Sequence, residues 1–486
     1  MIIPSEQLGL RARAARALSD PFLRRAVRFT VERLRSGKDR ATGELGRWEE
    51  WREQGSRVRS HVVEHLDFYL AEFVANVERR GGHVHFAADA AEATRIVTEI
   101  ATRAEAKLVV KSKSMVSEEL HINHHLEQAG VECLETDLGE WIVQLARETP
   151  SHLIIPAIHK SRHQVRDLFE ADGAHGLSTE TAVLAGYARR RLRERFMAAD
   201  IGMTGCNFAI ADSGSVVLFT NEGNGRMVTT LPKTHVVMMG MERILPGLAD
   251  LELMANLLPR SATGQKITTY LNLLSGTRRA GEADGARELH IVILDNGRSA
   301  QLGDPDFQEV LNCIRCGACL NVCPVYRQMG GHAYASVYSG PIGAVLSPLL
   351  SKSLQARELA NASTLCGACF EACPVKIPLH DMLVRQRARN VASDAAAHAN
   401  GAPPSLERLA FRAYAWLFSS PRLFRLLSGV GRAAQRALVG DGSRSSFLAR
   451  RVPALFGWVR YRALPLPPKR SFRERFAELE RANKPD

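Results

Sequence analysis

Seven of the nine cysteines fall into two short runs. Cys313, Cys316, Cys319 and Cys323 follow the spacing C-x2-C-x2-C-x3-C with Pro324 directly behind. Cys366, Cys369 and Cys373, with Pro374, repeat the template if Ser363 takes the place of the first cysteine. This is the bacterial ferredoxin run, in which three closely spaced thiolates wrap one iron–sulfur cube and the fourth ligates a different cluster. Two intervening residues let the backbone curl around a cluster, and small residues such as Gly317 and Ala318 permit close approach. Zinc would need only four ligands, commonly from two separated C-x2-C knuckles, and fits the run less well. Crossing the ligands assigns Cys313, Cys316, Cys319 and Cys373 to one cluster and Cys323, Cys366 and Cys369 to another. The second set has three thiolates. Its remaining iron takes the Ser363 hydroxyl or a solvent species, or is absent and leaves a three-iron cluster. An electron relay is the chemistry such a pair does best.

These runs must be held by something large. The chain has 486 residues, enough for several cores. No apolar run is long enough to cross a bilayer and no signal peptide opens the sequence, so a cytoplasmic protein is expected, membrane-associated at most through partners. In a reducing compartment, clustered cysteines are metal ligands before they are disulfides. Cys133 and Cys206, isolated in mixed surroundings, read as inert thiols. Residues 1–80 repeat apolar positions at helical spacing and form a helical N-terminal segment that braces the neighbouring domain. Over 81–300 the texture becomes short β-type runs alternating with helices, including "HVHFA", "KLVVKSKS", "VECLETD", "HLIIPAI", "THVVMMG" and "ELHIVIL". That alternation predicts a mostly parallel, helix-covered sheet, with antiparallel additions around "FAIADSGSVVLFT". The cysteine runs occupy 301–400 with helical flanks, and a Gly-Ala-Pro-Pro break opens a basic region at 401–486.

The net charge of +12 is concentrated in that last region, which carries 17 Lys and Arg against 6 Asp and Glu. It could hold an acidic partner, touch an anionic membrane face or be a solvated helix surface. A nucleic-acid-binding iron–sulfur protein would need stacking aromatics among the basic residues. Trp416, Phe418, Trp458 and Tyr461 are present, but the "PLPPKRSFRERFAELERANK" end reads as a docking helix, so no nucleic-acid partner is expected. Two stretches of the α/β part could hold an anion. Lys111, Ser112, Lys113 and Ser114 lie between a strand and a helix, and "TNEGNGR" places Glu222, Asn224 and Arg226 on a glycine-rich turn. His159 and His235 sit beside strands, where core or surface roles outnumber ligand roles. No dinucleotide fingerprint or P-loop is present.

The runs "CIRCGACLNVCPVYRQMGGHAYASVYSGPIGAVLSPLL" and "LCGACFEACPVKIPLH", with "KSKSMVSEEL", "ETDLGEWIVQLARETPSHLIIPAIHK", "GMTGCNFAIADSGSVVLFTNEGNGRMVTTLPKTHVVM" and "YLNLLSGTRR" upstream, closely resemble the lactate utilization protein B family. The resemblance covers the chain from about residue 60 to the basic region. It implies a lactate-utilization α/β domain, related in fold to sugar-phosphate isomerases and CoA transferases, followed by an α-helical, ferredoxin-like double-cluster domain and a basic helical C-terminal region. It also implies two [4Fe–4S] clusters on the seven cysteines, two further subunits of a complex oxidising L-lactate to pyruvate, and an electron-transfer role that allows growth on lactate. L-lactate would be met directly or through those subunits, with a possible peripheral membrane or quinone-linked contact. An iron–sulfur subunit for another 2-hydroxy acid such as glycolate, or of a heterodisulfide-type reductase, is the alternative. The α/β domain argues against it, since a bare double-cluster module would not need one.

Overall fold

Six parallel strands carry the centre of the molecule: β1 (His83–Ala87), β2 (Leu108–Lys111), β3 (Glu132–Glu135), β4 (Ile201–Thr204), β7 (Thr234–Gly240) and β10 (Glu288–Leu294). Their spatial order is β1-β10-β7-β4-β2-β3. β7 is buried along its whole length, and its "THVVMMG" lacks polar alternation because both faces are covered. The computed structural model describes residues 8–351, 353–399, 406–439, 468 and 470–482.

A second sheet is built from β5 (Phe208–Ile210), β6 (Ser215–Thr220), β8 (Ile244–Leu245) and β9 (Tyr270–Leu274), in the order β8-β5-β6-β9. β5 and β6 form an antiparallel hairpin and β9 adds antiparallel to β6, as the glycine-marked "FAIADSGSVVLFT" suggests. One expected strand is absent. "HLIIPAI" forms turns instead. The buried His152 ring accepts the Ile154 and Ile155 amides through Nδ1 at 3.0 and 3.2 Å, and Ser151 N–H donates to Pro156 O at 3.0 Å. Those bonds curl the segment, and Leu153 and Ile154 then pack over Gly317 rather than entering a sheet.

Helices Leu10–Leu18, Pro21–Leu45, Trp48–Glu64 and Leu66–Arg79 precede the first strand. Asp20 caps the second by accepting the Leu23 amide, with Pro21 at its first position, where a missing N–H costs nothing. These helices clamp the cysteine segments. Arg52 Nε donates to Cys373 O at 2.9 Å and Nη2 to Phe370 O at 2.7 Å, Lys38 Nζ donates to Ala372 O, and Arg59 Nε donates to Asn312 O at 3.3 Å. One apolar core runs through Val27, Val31, Phe208, Met254, Phe307, Ile342 and the buried cysteines of the two runs. Residues 1–392 accordingly form one compact unit and 393–486 another.

In the second unit the helices Leu406–Ser419 and Pro421–Val439 pack on each other, with the Phe418 and Phe424 rings edge to face at 5.2 Å. Trp416 is exposed, whereas Trp458 and Tyr461 lie outside the described residues. No helix among the described residues is long and apolar enough to cross a membrane.

Candidate iron–sulfur centre

The two cysteine runs share one backbone. Arg315 and Leu365 occupy the left-handed region at φ 58° and 56°, and Gly317 and Gly367 follow at 74° and 80°. Short helices Ala318–Val322 and Ala368–Ala372 come next, and Cys323 and Cys373 leave them extended at φ −73° and −71°. Glycine is required at the second of these positions because the chain must reverse tightly under the sulfurs at positive φ. The correspondence extends to the residue that differs. Arg315 N–H donates to Cys313 Sγ at 3.4 Å, and Leu365 N–H donates to Ser363 Oγ at 3.1 Å. Ser363 therefore stands where the template has its first cysteine.

Cys313, Cys316, Cys319 and Cys373 line one cavity, closed by Leu153, Ile314, Ile342, Val375, Ile377 and Leu379. Burial raises the Cys323 and Cys369 thiols, with Cys366 adding to both and Cys323 to Cys369, whereas the Ala368 amide lowers the Cys366 thiol. Backbone amides point at the sulfurs, with Tyr326 N–H on Cys323 Sγ at 3.5 Å and Ile377 N–H on Cys373 Sγ at 3.4 Å. Such donors favour the thiolate a cluster needs. Burial above all pushes the Cys316 and Cys369 thiols up to about 12, so an iron centre has to supply the positive charge that ionises them.

The spacing also tests the metal. Zinc bound at about 2.3 Å by tetrahedral sulfurs would hold them roughly 3.8 Å apart. Among the described residues no three cysteine sulfurs lie within 4.8 Å of one another. The open arrangement fits a larger iron–sulfur cube. The environments of the two groups differ: the first is enclosed, whereas Cys366 is exposed and Leu365 beside it is 37% exposed.

The first cysteine run is tied to the residues that follow two strands of the parallel sheet. Arg243, just past β7, donates to Cys313 O at 3.1 Å. Glu242 beside it is 1% exposed and pairs with Arg298 at 2.9 Å, Arg315 at 3.3 Å and Arg243 at 3.7 Å. Arg298, just past β10, reaches on to Glu119 at 2.8 Å, and Glu119 accepts the Tyr338 hydroxyl at 2.7 Å. Arg315 lies over the Tyr338 ring at 4.6 Å, with Nε and Nη1 buried and making no hydrogen bond. Burial would raise the Glu242 carboxyl, but Arg298, Arg243 and Arg315 outweigh it and hold it at about 2. This cationic surround counters the negative charge of a thiolate-ligated cluster. None of these residues was singled out from sequence, because they are far apart in the chain and share no spacing.

The two anion-binding candidates converge through Thr136. Its amide and hydroxyl donate to Lys111 O at 2.9 and 2.8 Å, and Asn224 Nδ2 donates to its hydroxyl at 3.3 Å. Lys111 itself is corrected to a structural role: Nζ is fully buried and held by Glu118 and Glu135, each at 2.6 Å, and by Asn123 Oδ1 at 2.9 Å, so its three N–H donors are spent. Lys113 is half-buried, and Glu222 and Arg226 are exposed, the Arg226 guanidinium lying 5.7 Å from the Tyr270 ring. Glu140, also missed from sequence, is buried with Oε1 unpaired; burial holds its carboxyl well above the usual range, with Lys113 opposing. His235 is a core residue paired with Thr204 Oγ1 at 2.9 Å. Cys133 is buried with Sγ 3.4 Å from Asn123 Oδ1, and Cys206 is partly buried.

The chain matches three family models: the LUD domain over residues 70–294, the 4Fe-4S dicluster domain over 309–377, and the lactate utilisation protein B C-terminal region over 383–481. It is 48% identical over 467 residues to "Lactate utilization protein B" of Bacillus licheniformis, covering 96% of each chain. The protein of that name from Bacillus subtilis is 48% identical over 471 residues, again with 96% of each chain covered. A crystal structure of a DUF162 family protein from Deinococcus radiodurans aligns at a TM-score of 0.28 and 16% identity, over 47% of this chain and 98% of that one. At 48% identity over 96% of each of these two chains, and with its C-terminal region matched as well, the chain belongs to the lactate utilization protein B family.

Proposed function

We propose that the chain is the iron–sulfur electron-transfer subunit of a complex that oxidises L-lactate to pyruvate. Cys313, Cys316, Cys319 and Cys373 hold one [4Fe–4S] cluster, and Cys323, Cys366 and Cys369 hold the other with Ser363 beside the iron that lacks a cysteine. The observation that carries the reading is the shared cavity of Cys373 with the three cysteines of the other run. Clusters held by these residues would supply one-electron carriers, and two of them would match the two electrons that leave lactate with two protons.

The chain's own residues do the rest. Leu153, Ile342 and Ile377 keep water from the first cavity, and Arg243 and Arg315 make its reduction easier by offsetting charge. The exposed edge at Cys366 is where a partner meets the second cluster. Lys113, Asn224 and Arg226, with the Ser112 and Ser114 backbone, form the anion site for a carboxylate at the carboxyl edge of the sheet, and Glu222 lines it. We read the sheet as related in fold to sugar-phosphate isomerases and CoA transferases. Two further subunits complete the complex in the cytoplasm, and the basic C-terminal region supplies any membrane or quinone-linked contact.

Growth tests the assignment. In a strain with no other lactate oxidase, removing this chain abolishes growth on L-lactate but not on pyruvate, and the wild-type gene restores it while Cys316→Ser does not. Undiminished growth on L-lactate, or rescue by Cys316→Ser, contradicts the reading; a defect on glycolate alone transfers it to that acid.

A further inference from the structure

Away from both cysteine groups, three side chains from separate segments converge beside a cavity of about 850 Å³. Glu148 lies beyond the third strand of the parallel sheet, His159 ends the turn that replaces the expected "HLIIPAI" strand, and His332 comes from the segment between the two cysteine runs. One donor atom from each lies within 4.8 Å of the other two. The two imidazoles meet edge to face at 4.5 Å between centroids. Glu148 and His332 line the cavity, together with Arg13, Arg16, His121 and Arg147.

The hydrogen bonds around the group are those of a ligand set. His332 Nε2–H donates to Thr149 O at 2.7 Å, which fixes its tautomer and leaves Nδ1 as a lone-pair donor, the usual support of a metal-binding histidine. The His159 side chain is 8% exposed and its Nδ1 is buried without a partner, while Nε2 lies 2.5 Å from Glu148 Oε2. A cation roughly 2.0–2.2 Å from each of three such donors keeps them about 4 Å apart or less, which a small side-chain rotation achieves here. We propose that Glu148, His159 and His332 form a site for a divalent transition metal of the zinc, iron(II) or cobalt(II) class, with its open coordination positions facing the arginine-lined cavity. Two imidazoles and one carboxylate suit such ions and leave positions for water or a small anion.

Lys160 is the group that opposes binding. Its Nζ lies 2.5 Å from Glu148 Oε1, so its charge competes with the metal for the same carboxylate. The arrangement therefore predicts two changes of opposite sign, which loss of folding would not produce.

The test uses anaerobically purified protein with its full iron and sulfide, titrated with cobalt(II) and followed by visible absorption. One cobalt per chain is expected, with ligand-field bands of nitrogen and oxygen coordination and no thiolate charge-transfer band. His332→Gln, which keeps a donor toward Thr149 O, weakens binding about tenfold or more, and Lys160→Met strengthens it. Absence of cobalt binding in both wild type and Lys160→Met overturns the site. So does binding whose affinity is indifferent to His159→Gln and His332→Gln, or a spectrum dominated by sulfur coordination.

Discussion

Cys373→Ser empties the cavity of Cys313, Cys316 and Cys319 and leaves the group at Cys366 and Cys369 loaded. Cys373 is closest in sequence to the second group, yet its sulfur faces the first cavity and its carbonyl is pinned by Arg52 at 2.9 Å. Loss of one of two four-iron clusters removes about half the iron. Anaerobic iron and sulfide analysis with low-temperature electron paramagnetic resonance reads the result. The spectrum left by Cys373→Ser should match that of Cys316→Ser and differ from that of Cys369→Ser. A match to Cys369→Ser instead would show that each run wraps its own cluster. The converse substitution, Ser363→Cys, completes the second set, because Ser363 already holds the template's first position and accepts the Leu365 amide at 3.1 Å. It should slow loss of iron from that cluster in air, and an unchanged rate would remove Ser363 from the cluster's surroundings.

Glu242→Ala should be the most destabilising change outside the cysteines. It leaves Arg298, Arg243 and Arg315 without their shared carboxylate at a position 1% exposed. Stripping one partner from a buried ion network costs about 3–5 kcal/mol, and Arg298 keeps the Glu119 carboxylate and the Asp295 carbonyl as compensation. Urea-induced loss of cluster absorbance is expected at markedly lower concentration than in wild type; an unchanged midpoint would mean that the network contributes nothing. The carboxyl also sets a pH signature. Its folded pKa of about 2 lies below the ordinary 4.5, so its contribution is complete above the ordinary value. That contribution is lost as pH falls through 4.5 toward 2, and the stability gap between wild type and Glu242→Gln should close over the same interval.

The chemistry was easier to read from sequence than its setting. The cysteine spacing is local, and the cysteine, glycine and proline positions in the two runs dictate the same turn, so the shared template follows from a few residues. The parallel sheet was legible because strands such as β7 and β10 are uninterrupted apolar runs between helical ones. "HLIIPAI" has the same composition and forms no strand, because His152 spends its ring nitrogen on two local amides, a contact that composition does not encode. Lys111 looked like an anion ligand for the same reason that it is a poor one. A lysine at a strand end reaches the nearest charge, and Glu118 and Glu135 lie closer than any solvent-borne ligand could. The Glu242 network and the Glu148, His159 and His332 group are assembled by tertiary contacts between segments up to 219 residues apart, as with Tyr338 and Glu119, and no sequence spacing announces them.

The electron path can be watched directly. The complex of this chain with the products of its neighbouring genes, purified anaerobically with its clusters oxidised, is mixed with L-lactate while the cluster absorbance is followed. Bleaching by L-lactate, with pyruvate formed in proportion and no response in a complex carrying Cys316→Ser, is the predicted result. Full iron and sulfide with no bleaching by L-lactate would contradict the account, and bleaching by glycolate alone would assign these clusters to a different 2-hydroxy acid.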